Sequence, residues 1–130
     1  MRKITVTVDQ EIGSGYYSRV YRISETLVVK AFKMIDIAEL LVADEIYGST
    51  LYKNALPVLE KVIVVLPDGQ ETFGLVKTYI PFELTIEEIL TAIDEGLIEK
   101  FWDTSTNNFR KDEDGKIWQI DSQVEPFDFL

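Results

Sequence analysis

The sequence predicts an α+β domain, and three observations carry that prediction. Runs rich in β-branched residues recur between short turn signals. Two segments pair a helix-start pattern with apolar residues at helical spacing. An Asp-Gly turn near the end closes a last hairpin. The length, 130 residues, fits one domain, which at that size buries roughly two-thirds of its unfolded surface.

In chain order, Lys3 to Val8 alternate with period two and read as a first strand, continuing through Gln10-Glu11-Ile12. A turn with Gly13 and Gly15 follows, and a second strand, Arg19 to Ile23, leaves it. Glycine lacks a Cβ, so that turn can be tight and its N–H groups can come close to an anion. A polar turn, Ser24-Glu25-Thr26, leads to an apolar strand, Leu27-Val28-Val29, that ends in Lys30. A cation on such a strand is rarely buried without a partner.

Asp36 to Tyr52 reads as the first helix, with Asp36 and Glu39 as a capping box. Ile37, Leu40, Leu41, Tyr47 and Leu51 share one broad face, and Gly48 predicts an irregular last turn, at ~1 kcal/mol relative to alanine. Val62 to Leu66 and Thr72 to Ile80 form a hairpin around Pro67-Asp68-Gly69-Gln70, and Pro81 ends it. Thr85 opens a second helix, with Glu88 completing its capping box and Gly96 marking its end. Its apolar stripe is Ile86, Leu90, Ile93 and Leu97. Phe109-Arg110 and Lys116 to Ile120 flank the acidic turn Asp112-Glu113-Asp114-Gly115.

Composition narrows the chemistry. The absence of cysteine rules out disulfides and thiolate metal sites, and the absence of histidine rules out His-based triads. No apolar run reaches the ~18 residues of a membrane helix, and the N-terminus lacks the apolar core of a signal peptide. A soluble, cytoplasmic chain is expected, without membrane contact. The net charge of −10 argues against nucleic-acid binding. Residues 1 to 33 are nevertheless basic, with six Lys/Arg against three Asp/Glu. A basic N-terminal part on an acidic body fits a nucleotide on that side, although acidic surface also serves solubility alone.

The stretch GSGYYSRVYR followed by VVK resembles the glycine-rich loop and third-strand lysine of the protein-kinase fold, with Ser18 in place of the third glycine. The resemblance covers about residues 8 to 125 and implies a kinase-like N-terminal lobe, residues 1 to 81. That lobe would be a five-stranded antiparallel sheet plus one helix. Residues 82 to 130 would be a severely reduced C-terminal lobe of one helix, a catalytic-loop-like turn and a β-hairpin.

It further implies ATP and Mg²⁺ as ligands. Gly13, Ser14, Gly15 and Val20 would cover the nucleotide, and Lys30 would reach its phosphates. An acid on the first helix would orient Lys30; Glu45 is the choice, with Asp44 and Glu39 as rivals. Asp103 and Asn108 show the catalytic-loop spacing, which implies a base role for Asp103. Asp121 closes the following hairpin, whose geometry brings it beside Asn108. Two such oxygens suit Mg²⁺, which prefers hard ligands and keeps several waters. Each of these residues also has an ordinary reading as a loop former, cap or solvated acid.

The departures are specific. Phe101-Trp102 precede Asp103 where kinases have His-Arg, and Ser105 stands where they carry a lysine. Ser122-Gln123 follow Asp121 in place of Phe-Gly, and nine residues follow Asp121 here, so an activation segment is not expected. The pattern is similar to the minimal kinases of bacterial effectors and phages; an effector would be delivered into a host cytoplasm. Two function classes follow: an ATP–Mg²⁺-dependent phosphotransferase acting on a protein hydroxyl, or an inactive, pseudokinase-like acidic protein that neutralises a basic partner, as an immunity or antitoxin protein does. A plain α+β domain with accidental matches is the third. The apolar tail, Pro126 to Leu130, is expected to pack on the body or on another chain, and oligomeric state stays open.

Overall fold

The structure, a computed structural model, describes residues 1–98 and 108–121. The protein is a mixed α+β chain that divides into two compact units, residues 1–43 with 57–79, and residues 44–56 with 80–130.

The first unit is built on one six-stranded sheet. Its strands are β1 (Lys3–Thr5), β2 (Glu11–Ser14), β3 (Ser18–Arg22), β4 (Leu27–Phe32), β5 (Glu60–Val65) and β6 (Glu71–Thr78). The order across the sheet is β1-β5-β6-β4-β3-β2. Strands β2 to β6 pair antiparallel, which supplies the expected five. The expectation of a purely antiparallel sheet is corrected by β1, which adds a sixth strand parallel to β5 with Lys3 opposite Ile63. Ion pairs Arg2–Glu60 at 2.7 Å and Lys3–Glu71 at 3.0 Å fasten this edge.

The single long first strand is also corrected. Val8–Gln10 form a 3₁₀ turn, held by the Thr7 N–H donating to Gln10 Oε1 at 2.8 Å, and the turn separates β1 from β2. That break shapes the sheet. In a flat sheet, β1 and β2 would lie about 24 Å apart, five strand spacings. Residues 6–10, partly coiled in the 3₁₀ turn, span only about 16 Å. The sheet must therefore curl. Val6 crosses its inner face and is buried with Tyr21, Val29, Ala31, Val62, Val64 and Val76.

Helix α1 (Ala38–Leu51) starts in the first unit and ends in the second. A 3₁₀ turn, Ile35–Ile37, precedes it, and Met34 provides no side-chain cap, so the expected Asp36–Glu39 box does not open the helix. The buried face is also not the expected one. Ala38, Leu41, Val42, Glu45 and Gly48 are buried, whereas Leu40, Tyr47 and Leu51 are exposed. Gly48 lies within the helix, which continues to Leu51.

In the second unit, α2 (Ile86–Asp94) opens as expected. The Glu88 N–H donates to the Thr85 hydroxyl at 3.1 Å, and the Thr85 N–H donates to the Glu88 carboxylate at 3.1 Å. Gly96 has φ of +71°, the left-handed conformation that ends helices at glycine. The predicted stripe is corrected: Ile86, Leu90 and Leu97 are exposed, and Ile89 and Ala92 enter a core with Leu84, Ile98 and Phe109.

Strands β7 (Phe109–Lys111) and β8 (Ile117–Gln119) form the predicted hairpin, with Gly115 at φ of +85° in its turn. Its outer edges are also bonded. The Lys111 N–H donates to the Phe82 carbonyl at 2.8 Å, and the Gln119 N–H to that of Asn54 at 2.8 Å. The Arg110 guanidinium donates to the carbonyls of Ile80 and Pro81.

Candidate functional site

Within the first unit, register places the predicted nucleotide residues. Val20 lies directly opposite Lys30 on the β3–β4 pair, so both side chains leave the same face of the sheet. Val28 and Phe32, two positions either side of Lys30, share that face. Lys30 is only 8 % exposed, and its ammonium lies 5.6 Å from the centre of the Phe32 ring. A buried ammonium on an apolar strand costs several kcal/mol unless something anionic or polar receives it. The opposite face carries Tyr21, Val29 and Ala31 and forms the inner core. Alternation along β4 thus separates packing residues from the lysine face.

That face holds a second cation that the sequence reading did not single out. Lys77 on β6 lies opposite Val28 and is 2 % exposed. The register makes it a diagonal neighbour of Lys30. The signal was available: a lone lysine inside the apolar run from Thr72 to Ile80.

The hairpin turn differs from the expected anion cradle in one respect. The Gly15 N–H donates to the Ser18 carbonyl at 2.8 Å, so that donor closes the turn. The Lys33 ammonium donates to the Gly15 carbonyl, and its N–H to the Tyr17 carbonyl at 2.8 Å. Neither Gly13 nor Gly15 has a positive φ, and a Cβ at either would meet nothing within 4 Å. Neither glycine is therefore required by the backbone or by packing. Gly13 lies opposite Val20, on the lysine face, and Ser14 lies opposite Arg19. The Ser14 side chain accordingly leaves the other face, and toward a ligand over Lys30 it offers only backbone.

In the second unit, Glu45 is 1 % exposed on the buried face of α1. Its rivals are more exposed: Glu39 lies on the surface and Asp44 is half-buried. Asn108 is 6 % exposed and sits at the open end of the β7–β8 hairpin. The Ile120 N–H donates to the Asn108 carbonyl at 2.8 Å, which puts Asp121 one residue beyond the pair. Among the described residues, no group of three or more Asp, Glu, His or Cys is placed to hold a metal ion. Asn108 and Asp121 would supply two protein oxygens, leaving the remaining positions to phosphate and water. Asp103 lies outside the described residues.

Glu60, Glu88 and Asp112 are carboxyls held below their usual range, Glu60 by its hydrogen bond from Arg2. The Trp118 indole N–H donates to Asp112 at 3.0 Å and, with the backbone N–H groups of Lys116 and Asp114, holds that carboxyl below its usual range. The Thr85 backbone N–H, with Lys111 beside it, does the same for Glu88. Asp112 and Glu88 act in turn and cap geometry.

Among the described residues, no helix is long and apolar enough to cross a membrane. No known protein-family model matches the chain, and no curated protein is significantly similar to it.

Proposed function

We propose that this protein is a minimal, protein-kinase-like nucleotide-binding protein that takes ATP with Mg²⁺ and transfers phosphate to a protein hydroxyl. The observation that carries the reading is the pairing of Val20 with Lys30 on one sheet face, with the lysine buried. An apolar residue beside a fixed ammonium suits a base and a phosphate in turn. The sheet supports the reading, because five antiparallel strands with a helix between the third and fourth are what the resemblance requires. Gly13 and Gly15 support it too. Among the described residues nothing demands a residue without a Cβ there, whereas a closely approaching ligand would.

In this reading Lys30 would take the α/β-phosphates, with Glu45 orienting it, and Asn108 and Asp121 would hold Mg²⁺. Asp103 accepts the proton of the attacking hydroxyl as its oxygen bonds to the γ-phosphorus and the bond to ADP breaks. When bound, Mg²⁺ would supply charge neutralisation on the phosphate oxygens. The test is transfer of phosphate from labelled ATP by wild type and by Asp103→Ala. Transfer by wild type, at least about a hundredfold weaker in the variant with ATP binding kept, is the expected result.

A second reading, an inactive acidic protein that binds a basic partner, is favoured by the net charge of −10. ATP binding without transfer would favour a pseudokinase form of it. A basic partner bound with no response to ATP would remove the nucleotide altogether.

A further inference from the structure

Helix α2 carries more apolar residues than its own unit covers. Ile89 and Ala92 are buried against Leu84, Ile98 and Phe109, and Ile93 packs beside them half-buried. Ile86 and Leu90, one helical turn apart, lie next to that core face, yet they are 47 % and 51 % exposed. Leu97, just past the helix, is 50 % exposed. Both ends of this row are fixed. The Thr85–Glu88 box holds the first turn. At the other end the Leu97 N–H donates to the Ala92 carbonyl at 2.9 Å, and the Leu97 carbonyl accepts from the Asn54 side-chain amide at 2.7 Å. The row is therefore set before any partner arrives. It runs about 16 Å, or three turns of a helix.

Charge decides what the row accepts. Residues 44–56 and 80–130 hold fifteen Asp/Glu against five Lys/Arg, so the second unit carries the whole net charge of −10 and the charges of the first unit cancel. On α2 itself, Glu87 and Asp94 are seven positions apart and run along the side of the Ile86–Leu90 row away from the core. Both are exposed, and among the described residues neither has an ion-pair partner, whereas Glu88 is taken by Lys111 at 3.4 Å. An apolar row with an acidic margin marks an interaction surface for a partner of opposite charge. A second copy of this face would set acid against acid. The chain's own tail, with Glu125 and Asp128, is acidic too.

We propose that the Ile86–Leu90–Leu97 row docks a basic amphipathic helix of a partner protein. The partner's apolar stripe lies along the row, and its Lys or Arg side chains reach Glu87 and Asp94. The charge of −10 on this unit draws such a partner in. The residues are ones that the nucleotide reading leaves idle, and no nucleotide enters the test.

The test is a methyl NMR and fluorescence-anisotropy titration of the full chain with a leucine–lysine peptide of about 18 residues, its leucines on one helical face. One control keeps the composition but spreads the leucines round the helix; the other replaces lysine with glutamate. Saturable shifts are expected at the Ile86, Leu90 and Leu97 methyls with the first peptide alone. Ile86→Ser/Leu90→Ser leaves the net charge unchanged, so binding that it loses is apolar and local. It should bind at least about tenfold more weakly. Leu97→Ser, beyond the helix, weakens binding without touching α2. Glu87→Gln/Asp94→Asn should weaken it about threefold and flatten its salt dependence. Equal binding of the scrambled peptide, shifts confined to other methyls, or unchanged affinity in both serine variants would overturn the proposal. So would dimers that Ile86→Ser/Leu90→Ser abolishes, which would give the row to a second copy. Shifts at the three methyls in peptide-free Phe127→Ser/Phe129→Ser would give it to the chain's own tail, with the same consequence.

Discussion

Replacing both hairpin glycines with alanine separates a role in the fold from a role in ligand approach. At Gly13 and Gly15 an added Cβ meets nothing within 4 Å, and neither backbone is left-handed. The double variant should therefore fold without strain. It should gain about 0.4–1 kcal/mol per site, because alanine narrows the unfolded ensemble. At about 4 °C per kcal/mol for this size, the melting temperature should rise by a few degrees. ATP at a hundred times its dissociation constant adds about 2.7 kcal/mol, or about 10 °C. Two methyl groups placed where the nucleotide comes close should weaken binding at least about tenfold, which removes about 5 °C of that shift. Differential scanning fluorimetry with and without ATP–Mg²⁺ reads both effects at once. Gly74→Ala is the contrast. Its Cβ would lie 2.6 Å from Val64 Cγ2 and 2.8 Å from the Lys30 carbonyl oxygen, which the β4–β6 pairing holds in place. It should lower the melting temperature by an amount equivalent to about 1–3 kcal/mol. A stable Gly13→Ala/Gly15→Ala protein that keeps its full ATP shift would refute the reasoning, because the glycines would then serve neither fold nor ligand.

Further predictions concern the second unit. The Asp112 carboxyl is held below its ordinary value by Trp118 and the turn N–H groups, so its contribution is complete above the unfolded value of about 3.9. That contribution is lost as pH falls through the lower folded value. Wild type should exceed Asp112→Asn in stability at neutral pH, with the gap closing in acid. Urea unfolding across that range, followed by Trp118 fluorescence in a Trp102→Phe background, checks it. Thr85→Ala removes the hydroxyl that caps α2 and should cost about 0.5–2 kcal/mol in the same assay, while Thr85→Ser costs less.

Two local signals proved readable, while a third, the Asp36–Glu39 box, did not open α1. The Thr85–Glu88 box and the hairpin turn at Gly115 formed as expected, because each closes hydrogen bonds within a few positions. The parallel pairing of β1 with β5 was not readable, since its partner lies about sixty residues away and no local pattern encodes it. The helix faces misled for a different reason. The buried stripe of α1 includes Glu45 and Gly48, neither of which counts as apolar, while Leu40, Tyr47 and Leu51 face water. Among the candidate site residues, Val20 and Lys30 share a face because the β3–β4 register sets them opposite each other, and alternation within either strand does not encode that register. Lys77 escaped notice because one polar residue in a strand reads as its solvent side, and here that side is buried.

The most direct measurement is calorimetric titration of ATP, with and without Mg²⁺, into wild type and Lys30→Met. Methionine keeps the buried stem while removing the ammonium. Single-site binding that strengthens with Mg²⁺ and falls at least about tenfold in the variant is the predicted result. No binding by wild type, or equal binding by both proteins, would contradict it.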